Sequence, residues 1–208
     1  MAMCPANREV SIAILAKAPV PGRAKTRLIP ALGADGAARL QARFISRAVE
    51  TARAVGAVTL WADPDDKHPI FRDLAPQIAV QCQVEGDLGA RMLAAVAAAR
   101  GPVLVIGTDC PALTPDHLRI AGDLLRDGID VVVDPAEDGG YALIGMAMAE
   151  PRLFTGMTWS TPTVMAETRG RLARFNLTWR EPARLWDVDR PEDLQRMRAE
   201  NLTHLLVP

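Results

Sequence analysis

The sequence predicts an α/β domain on a doubly wound, mostly parallel sheet. Three observations carry that prediction. Short apolar runs rich in Val, Ile and Leu are continuous rather than alternating, which marks strands buried on both faces. Longer stretches with helical spacing separate them, the pattern of strand–helix–strand units. And each informative polar motif follows a strand, so a parallel sheet can gather all of them at one edge, where such sheets bind ligands.

The elements follow in order. Residues 10–17, VSIAILAK, read as the first buried strand. Residues 36–55 form a helix with Leu40, Phe44, Ile45, Ala48 and Ala52 on one side. Strands follow at 57–63 and, more weakly, at 78–83. A helix over 88–100 stops at Gly101-Pro102. Residues 102–109, PVLVIGTD, are the clearest strand. The helix over 114–128 has Thr114 as N-cap, Pro115 in its first turn and Gly128 as stop. Two strands around a polar turn occupy 129–147, and helices are expected over 161–174 and 190–201. No linker, repeat or composition shift divides the chain, so residues 1–208 are expected to form one domain.

Composition narrows the function. Net charge is −1, which offers no basic stripe for a nucleic acid and no patch for a membrane surface. Cys4, Cys82 and Cys110 follow no metal spacing and no disulfide framework, which fits a reducing cytoplasm. The first apolar run, Val10 to Ala16, is cut short by Lys17 and is not expected to be a secretory leader. No stretch approaches the roughly 18 apolar residues of a membrane span.

Against that neutral background, residues 15–28, LAKAPVPGRAKTRL, stand out. Four cations, Lys17, Arg23, Lys25 and Arg27, fall within eleven residues directly after a strand. The loop is not a Walker A motif, since Pro19 and Ala24 stand where glycines are required. A G-x-G-x-x-G fingerprint is also absent. What remains is a proline-stiffened loop of fixed cations and backbone N–H groups, suited to a polyphosphate. Pro21, Gly22, Arg23, Lys25, Thr26 and Arg27, with Lys17, are its candidate phosphate contacts. Lys17 and Lys25 are also candidate catalytic cations.

VIGTDCPAL (105–113) places Asp109 at a strand's carboxyl end, opposite the basic loop. A carboxylate there is a natural Mg²⁺ or Mn²⁺ ligand, because hard cations take oxygen ligands and bridge to phosphates. Cys110 is expected to be a packed small residue rather than a nucleophile. In LWDVDRPEDL (185–194), Asp187 and Asp189 lie two apart and share one face of an extended segment. Either can supply a further metal ligand. In DPAEDGGYALIG (134–145), Asp138, Gly139, Gly140 and Tyr141 are candidate substrate contacts, with a plain hairpin turn the equal rival. In QVEGDLGARM (83–92), Gly86 and Gly89 allow close approach of a base or ribose, and Arg91 is a candidate phosphate contact. Asp87 is either part of that surface or a helix cap. Trp159 is expected in the core, and His68, His117 and His204 are expected as scattered surface residues.

Taken together, AKAPVPGRAKTRL, GDLGARM, GTDCPAL, EDGGYALIG, TWST and DVDRPEDL resemble a bacterial family of GT-A-like proteins, provisionally called glycosyltransferases. The resemblance spans about residues 10–200 in one order and extends to the 2-phospho-lactate guanylyltransferases. It implies the nucleotide-diphospho-sugar transferase fold, a phosphate-binding loop after the first strand and a metal-binding Asp at Asp109. It further implies that Asp189, and with it Asp187, completes the metal site. Arg190 departs from the Thr frequent in that family.

The expected activity is therefore a metal-dependent transfer that uses a nucleotide, either an NTP or an NDP-sugar, and a small-molecule acceptor. GT-A glycosyltransferases usually carry D-x-D where this chain has TDCP. The missing second acid and the strongly basic loop favour nucleotidyl transfer. Glycosyl transfer is the alternative, and a non-catalytic nucleotide-binding protein is a third class.

Overall fold

A computed structural model describes residues 9–206, so Cys4 lies outside the described residues. Seven strands make one sheet in the order β3-β2-β1-β4-β6-β5-β7. The strands are β1 (Ser11–Lys17), β2 (Val58–Asp63), β3 (Ala79–Cys82), β4 (Val103–Ile106), β5 (Val131–Pro135), β6 (Tyr141–Met146) and β7 (Trp179–Arg180). All neighbours are parallel except β6, which runs antiparallel to both β4 and β5. The helices are α1 (Ile29–Arg53), α2 (Pro69–Leu74), α3 (Leu88–Ala98), α4 (Pro115–Arg126), α5 (Val164–Arg174) and α6 (Pro191–Ala199).

The continuous apolar runs are buried on both faces, as the sequence predicts. Within β1, Ile12 and Ile14 pack with Ile45 and Val49 of α1 and Leu118 and Leu125 of α4. Ala13, between them, packs on the other side with Met92 and Val96 of α3 and Met165 and Leu172 of α5. Side chains alternate along a strand, so β4 splits in the same way, with Leu104 and Ile106 on the first side and Val103 and Val105 on the second. The result is helix, sheet and helix in three layers.

A third apolar cluster positions the site. Leu28, in the short 3₁₀ turn that closes the basic loop, packs with Leu40 and Phe44 of α1, and with Trp186, Val188, Leu194 and Met197. Burial of these side chains holds the segment carrying Asp187 and Asp189 against the basic loop.

Several boundaries differ from the expectation. The strand read over 102–109 ends at Ile106, so Asp109 sits in the turn beyond it. The first long helix begins at Ile29 and contains one non-helical residue, Gly33, at φ 70° and ψ 166°. It is two helical pieces that continue across a kink at the only residue type that tolerates such angles cheaply. The six-residue α2 and the two-residue β7 are too short to leave a periodic signal. The helix-capping readings hold for Thr114 and Pro115. His117 and His68 are more than surface residues: His117 completes the cap with Thr114, and His68 caps α2. Among the described residues no helix is long and apolar enough to cross a membrane.

Candidate active site

β1, β4 and the segment after β7 all deliver their polar ends to one edge. After Lys17 the chain turns on hydrogen bonds from the Arg23 and Ala24 N–H groups to the Val20 carbonyl, both at 3.0 Å. Ala18, Ala24 and Leu28 are buried and anchor the loop. Pro21, Gly22, Arg23, Thr26 and Arg27 are left exposed on its rim. Gly22 has φ +78°, and nothing stands within 4 Å of where a Cβ would be. A ligand can approach the backbone there. Lys17 is exposed as well.

Lys25 differs from the other three cations. Its backbone is left-handed, at φ 47° and ψ 44°, which costs an L-residue about 1 kcal/mol or more. That conformation turns its side chain inward. The side chain is only 4% exposed. Its ammonium donates to the Val188 carbonyl at 2.6 Å and pairs with Asp109 Oδ1 at 2.9 Å, 5.5 Å from the centre of the Phe44 ring. Arg27 makes a second bridge, from the same loop to Asp189.

Asp109 is held from several directions. The Val188 N–H donates to its carbonyl at 2.8 Å, which docks the acid-bearing segment on the turn. Thr108 Oγ1 donates to Asp109 Oδ1 at 3.1 Å. Gln41, a buried polar residue of α1, donates to Thr108 Oγ1 at 3.1 Å and to the Lys17 carbonyl at 3.2 Å. Gln41 thus fixes the ends of β1 and β4 relative to each other. Sequence reasoning passed over it, although a lone amide beside Leu40, Phe44 and Ile45 on the apolar face of a helix is a visible signal.

Asp187 and Asp189 flank the buried Val188, in keeping with the alternation read from their spacing, but they meet different neighbours. Asp189 meets Arg27. Asp187 has a pKa raised to about 6, first by burial and next by the charge of Asp138, with Asp109 adding to the effect and Lys25 opposing it. Asp109 and Asp138 thus lie near enough to Asp187 to act on its charge. Among the described residues no three acidic, histidine or cysteine side chains are grouped closely enough to hold a metal ion by themselves. Ligand oxygens or water would have to complete the shell, as is usual for Mg²⁺. Cys110, beside Asp109, is pushed up to about 12 by burial and stays a thiol, in line with a packing role.

The other motifs are placed chiefly by packing. Asp87 caps α3, accepting from the Ala90 N–H at 2.8 Å. Arg91, the candidate phosphate contact, has a guanidinium that donates to the Gly86 carbonyl and to Gln83 Oε1 and lies 3.4 Å from Asp63. It shapes the loop that carries Gly86 from within. Gly89 lies flat on Trp159, where a Cβ would sit 2.7 Å from the ring. Trp159 stacks near Phe154 and meets Tyr141 edge-on, which bears out its core placement. Tyr141 points its hydroxyl at Met92 Sδ, 3.7 Å away. Gly139 has φ +93°, and a Cβ on it would fall 2.1 Å from the Pro162 carbonyl oxygen. Gly140 accepts from the Ala136 N–H and donates to Asp138 Oδ1. These contacts make residues 136–140 a hairpin turn with Asp138 at its tip, and packing against Pro162 explains the glycine at 139.

The fold and this edge define a class, the transferases of the nucleotide-diphospho-sugar transferase fold. A crystal structure from Desulfovibrio desulfuricans G20, provisionally described as a nucleotide-diphospho-sugar transferase, superposes with a TM-score of 0.85 at 30% identity, over 93% of this chain and 87% of that one. The chain belongs to the DUF2064 family, described as uncharacterized proteins conserved in bacteria, whose model matches residues 27–161. It is also similar to the 2-phospho-L-lactate guanylyltransferase of Methanothrix thermoacetophila, 25% identical over 173 residues, 82% of this chain and 76% of that protein. The inositol-1-phosphate CTP transferase from T. maritima shares the fold, with a TM-score of 0.58 at 12% identity over 96% of each chain. The similar proteins are thus transferases of nucleotidyl or sugar groups.

Proposed function

We propose that the protein transfers a nucleotidyl group from an NTP to a small phosphorylated acceptor and releases pyrophosphate, with Mg²⁺ or Mn²⁺ as cofactor. The observation that carries this reading is the apposition of the basic loop, through Lys25 and Arg27, to Asp109 and Asp189 at the strand ends. In such a reaction an acceptor phosphate oxygen attacks the α-phosphorus, the α–β bridging bond breaks, and negative charge grows on the departing β and γ phosphates. Cations fixed where that charge develops stabilise the transition state more than the ground state. The exposed rim with Lys17, Arg23 and Arg27 supplies them. A divalent ion would neutralise phosphate charge there, and Asp109 and Asp187, with Asp138 beside them, are the carboxylates this chain would offer it. The named activities of two similar proteins, one acting on 2-phospho-L-lactate and one on inositol-1-phosphate, support a phosphorylated acceptor.

A second reading, sugar transfer from an NDP-sugar, is favoured by the description of the Desulfovibrio protein, the more similar in sequence of the two structures above. Incubation with each NTP, Mn²⁺ and a panel of phosphorylated acceptors distinguishes them. Pyrophosphate release that depends on acceptor is expected, and Asp109→Asn is expected to lower it at least a hundredfold while leaving the circular dichroism spectrum unchanged. Hydrolysis of an NDP-sugar to sugar and NDP, with no pyrophosphate from any NTP, would establish the second reading instead.

A further inference from the structure

We infer that Lys25 and Arg27 are the counter-ions of the site's own acids in the ligand-free protein, and that nucleotide and divalent cation bind by exchanging those partners. This rests on the metal-dependent reading above. Both ion pairs start from one loop: Lys25 and Arg27 come from the loop after β1, Asp109 from the turn after β4, and Asp189 from the stretch docked on that turn. The Lys25 ammonium is nearly fully buried and reaches Asp109 Oδ1 at 2.9 Å. It is held there by the Val188 carbonyl at 2.6 Å and by a left-handed backbone that directs the side chain inward.

A divalent ion and the Lys25 ammonium would compete for the charge of the one Asp109 carboxylate. A divalent ion ligated by Asp109 would stand about 2 Å from the carboxylate, within a few ångström of the ammonium. Like charges so close in a partly buried site repel strongly. Entry of the ion therefore favours withdrawal of Lys25, yet an ammonium that leaves without a new anion is an uncompensated charge. Phosphate oxygens provide that anion. Conversely, phosphate that draws Lys25 and Arg27 away leaves Asp109 and Asp189 without their cations, with Asp187 and Asp138 alongside, and that carboxylate group attracts a divalent ion. Each ligand thus prepares the site for the other, and by linkage the coupling is reciprocal. Either one alone works against an intact ion pair.

The test measures each ligand by itself. Mn²⁺ binding to wild type, Lys25→Met and Arg27→Met is titrated from the electron paramagnetic resonance signal of the free ion, without nucleotide. Metal-free tripolyphosphate binding to the same three proteins is measured by calorimetry. Lys25→Met is expected to bind Mn²⁺ at least tenfold more tightly than wild type, and Arg27→Met about threefold more tightly. Both variants are expected to bind tripolyphosphate more weakly. Opposite signs for the two ligands are the signature of exchange. If wild type binds Mn²⁺ and neither variant binds it more tightly, the exchange is wrong and the metal-dependent reading stands. If no protein binds Mn²⁺ at all, both fall. Should Lys25→Met not fold, Arg27→Met at the more exposed pair decides by the same criterion.

Discussion

Asp134 is fully buried at the end of β5. Its Oδ1 accepts from the Ala183 N–H at 3.1 Å, and its Oδ2 has no hydrogen-bond partner among the described residues. Burial raises its pKa from an ordinary 3.8 to about 6, opposed by the Ala183 contact. The folded protein therefore holds this proton more tightly than the unfolded chain. The stability it contributes is fully present below about pH 4 and is lost as pH rises through about 6. The change corresponds to about 2–3 kcal/mol. Asp134→Asn keeps an acceptor for Ala183 and carries no charge at any pH. Urea unfolding is expected to show the variant more stable than wild type at pH 8 by roughly that amount, with the advantage gone at pH 4. At the same scale the basic loop was legible as a cluster of charge, because four cations in one loop need no partner to be seen. The distinct role of Lys25 was not, since its inward turn depends on a left-handed backbone and on Val188 and Asp109 far along the chain.

Elements were legible where their period is long and their caps are explicit. α4 has an apolar stripe, Thr114 at its cap and Pro115 next, and its bounds fall within two residues of the reading. α2 and β7 escaped because six residues and two residues carry no clear period. The hairpin of β5 and β6 shows where local pattern stops informing. An Asp-Gly-Gly turn fits a hairpin and a ligand loop equally well, and the contact that decides is made with a different element. The Met165 N–H donates to the Gly139 carbonyl at 2.8 Å, and the Pro162 carbonyl occupies the space of a Gly139 side chain. Gly139→Ala is therefore expected to destabilise the protein by about 3 kcal/mol or more, because it combines a positive φ with a backbone clash. At Gly140 a Cβ would meet only the Asp138 side chain, at 3.3 Å, and Gly140→Ala is expected to cost under about 1 kcal/mol. Equal small effects in urea unfolding would show the turn to be free of α5 and its approach.

Across the molecule, binding at the strand edge touches β1, β4 and the segment after β7 together, so a ligand reports on the global unfolding equilibrium. A ligand that binds only the folded state at a hundred times its dissociation constant adds about 2.7 kcal/mol. For a chain of this size that is a rise of roughly 5–10 °C in the thermal midpoint. An NTP with Mn²⁺ is expected to give such a rise and to exceed the matching NDP-sugar, because the basic rim extends beyond what a diphosphate needs. A larger rise with the NDP-sugar would reverse that preference.

The sequence by itself determined the class of fold, the order of its main elements, the basic loop and the acids that face it. Those features arise from short-range rules: burial sets the apolar period, sterics set the caps, and a charged loop after a buried strand must lie at the sheet edge. Only the tertiary structure decided which partners Arg91 takes within its own loop and that Gln41 ties β1 to β4. It alone joined Lys25 to Asp109 and Arg27 to Asp189, the latter pair 162 residues apart in sequence. Such pairs are fixed by the packing of Leu28 against Val188 and Trp186. That packing depends on how whole elements dock, and no local window of sequence contains it.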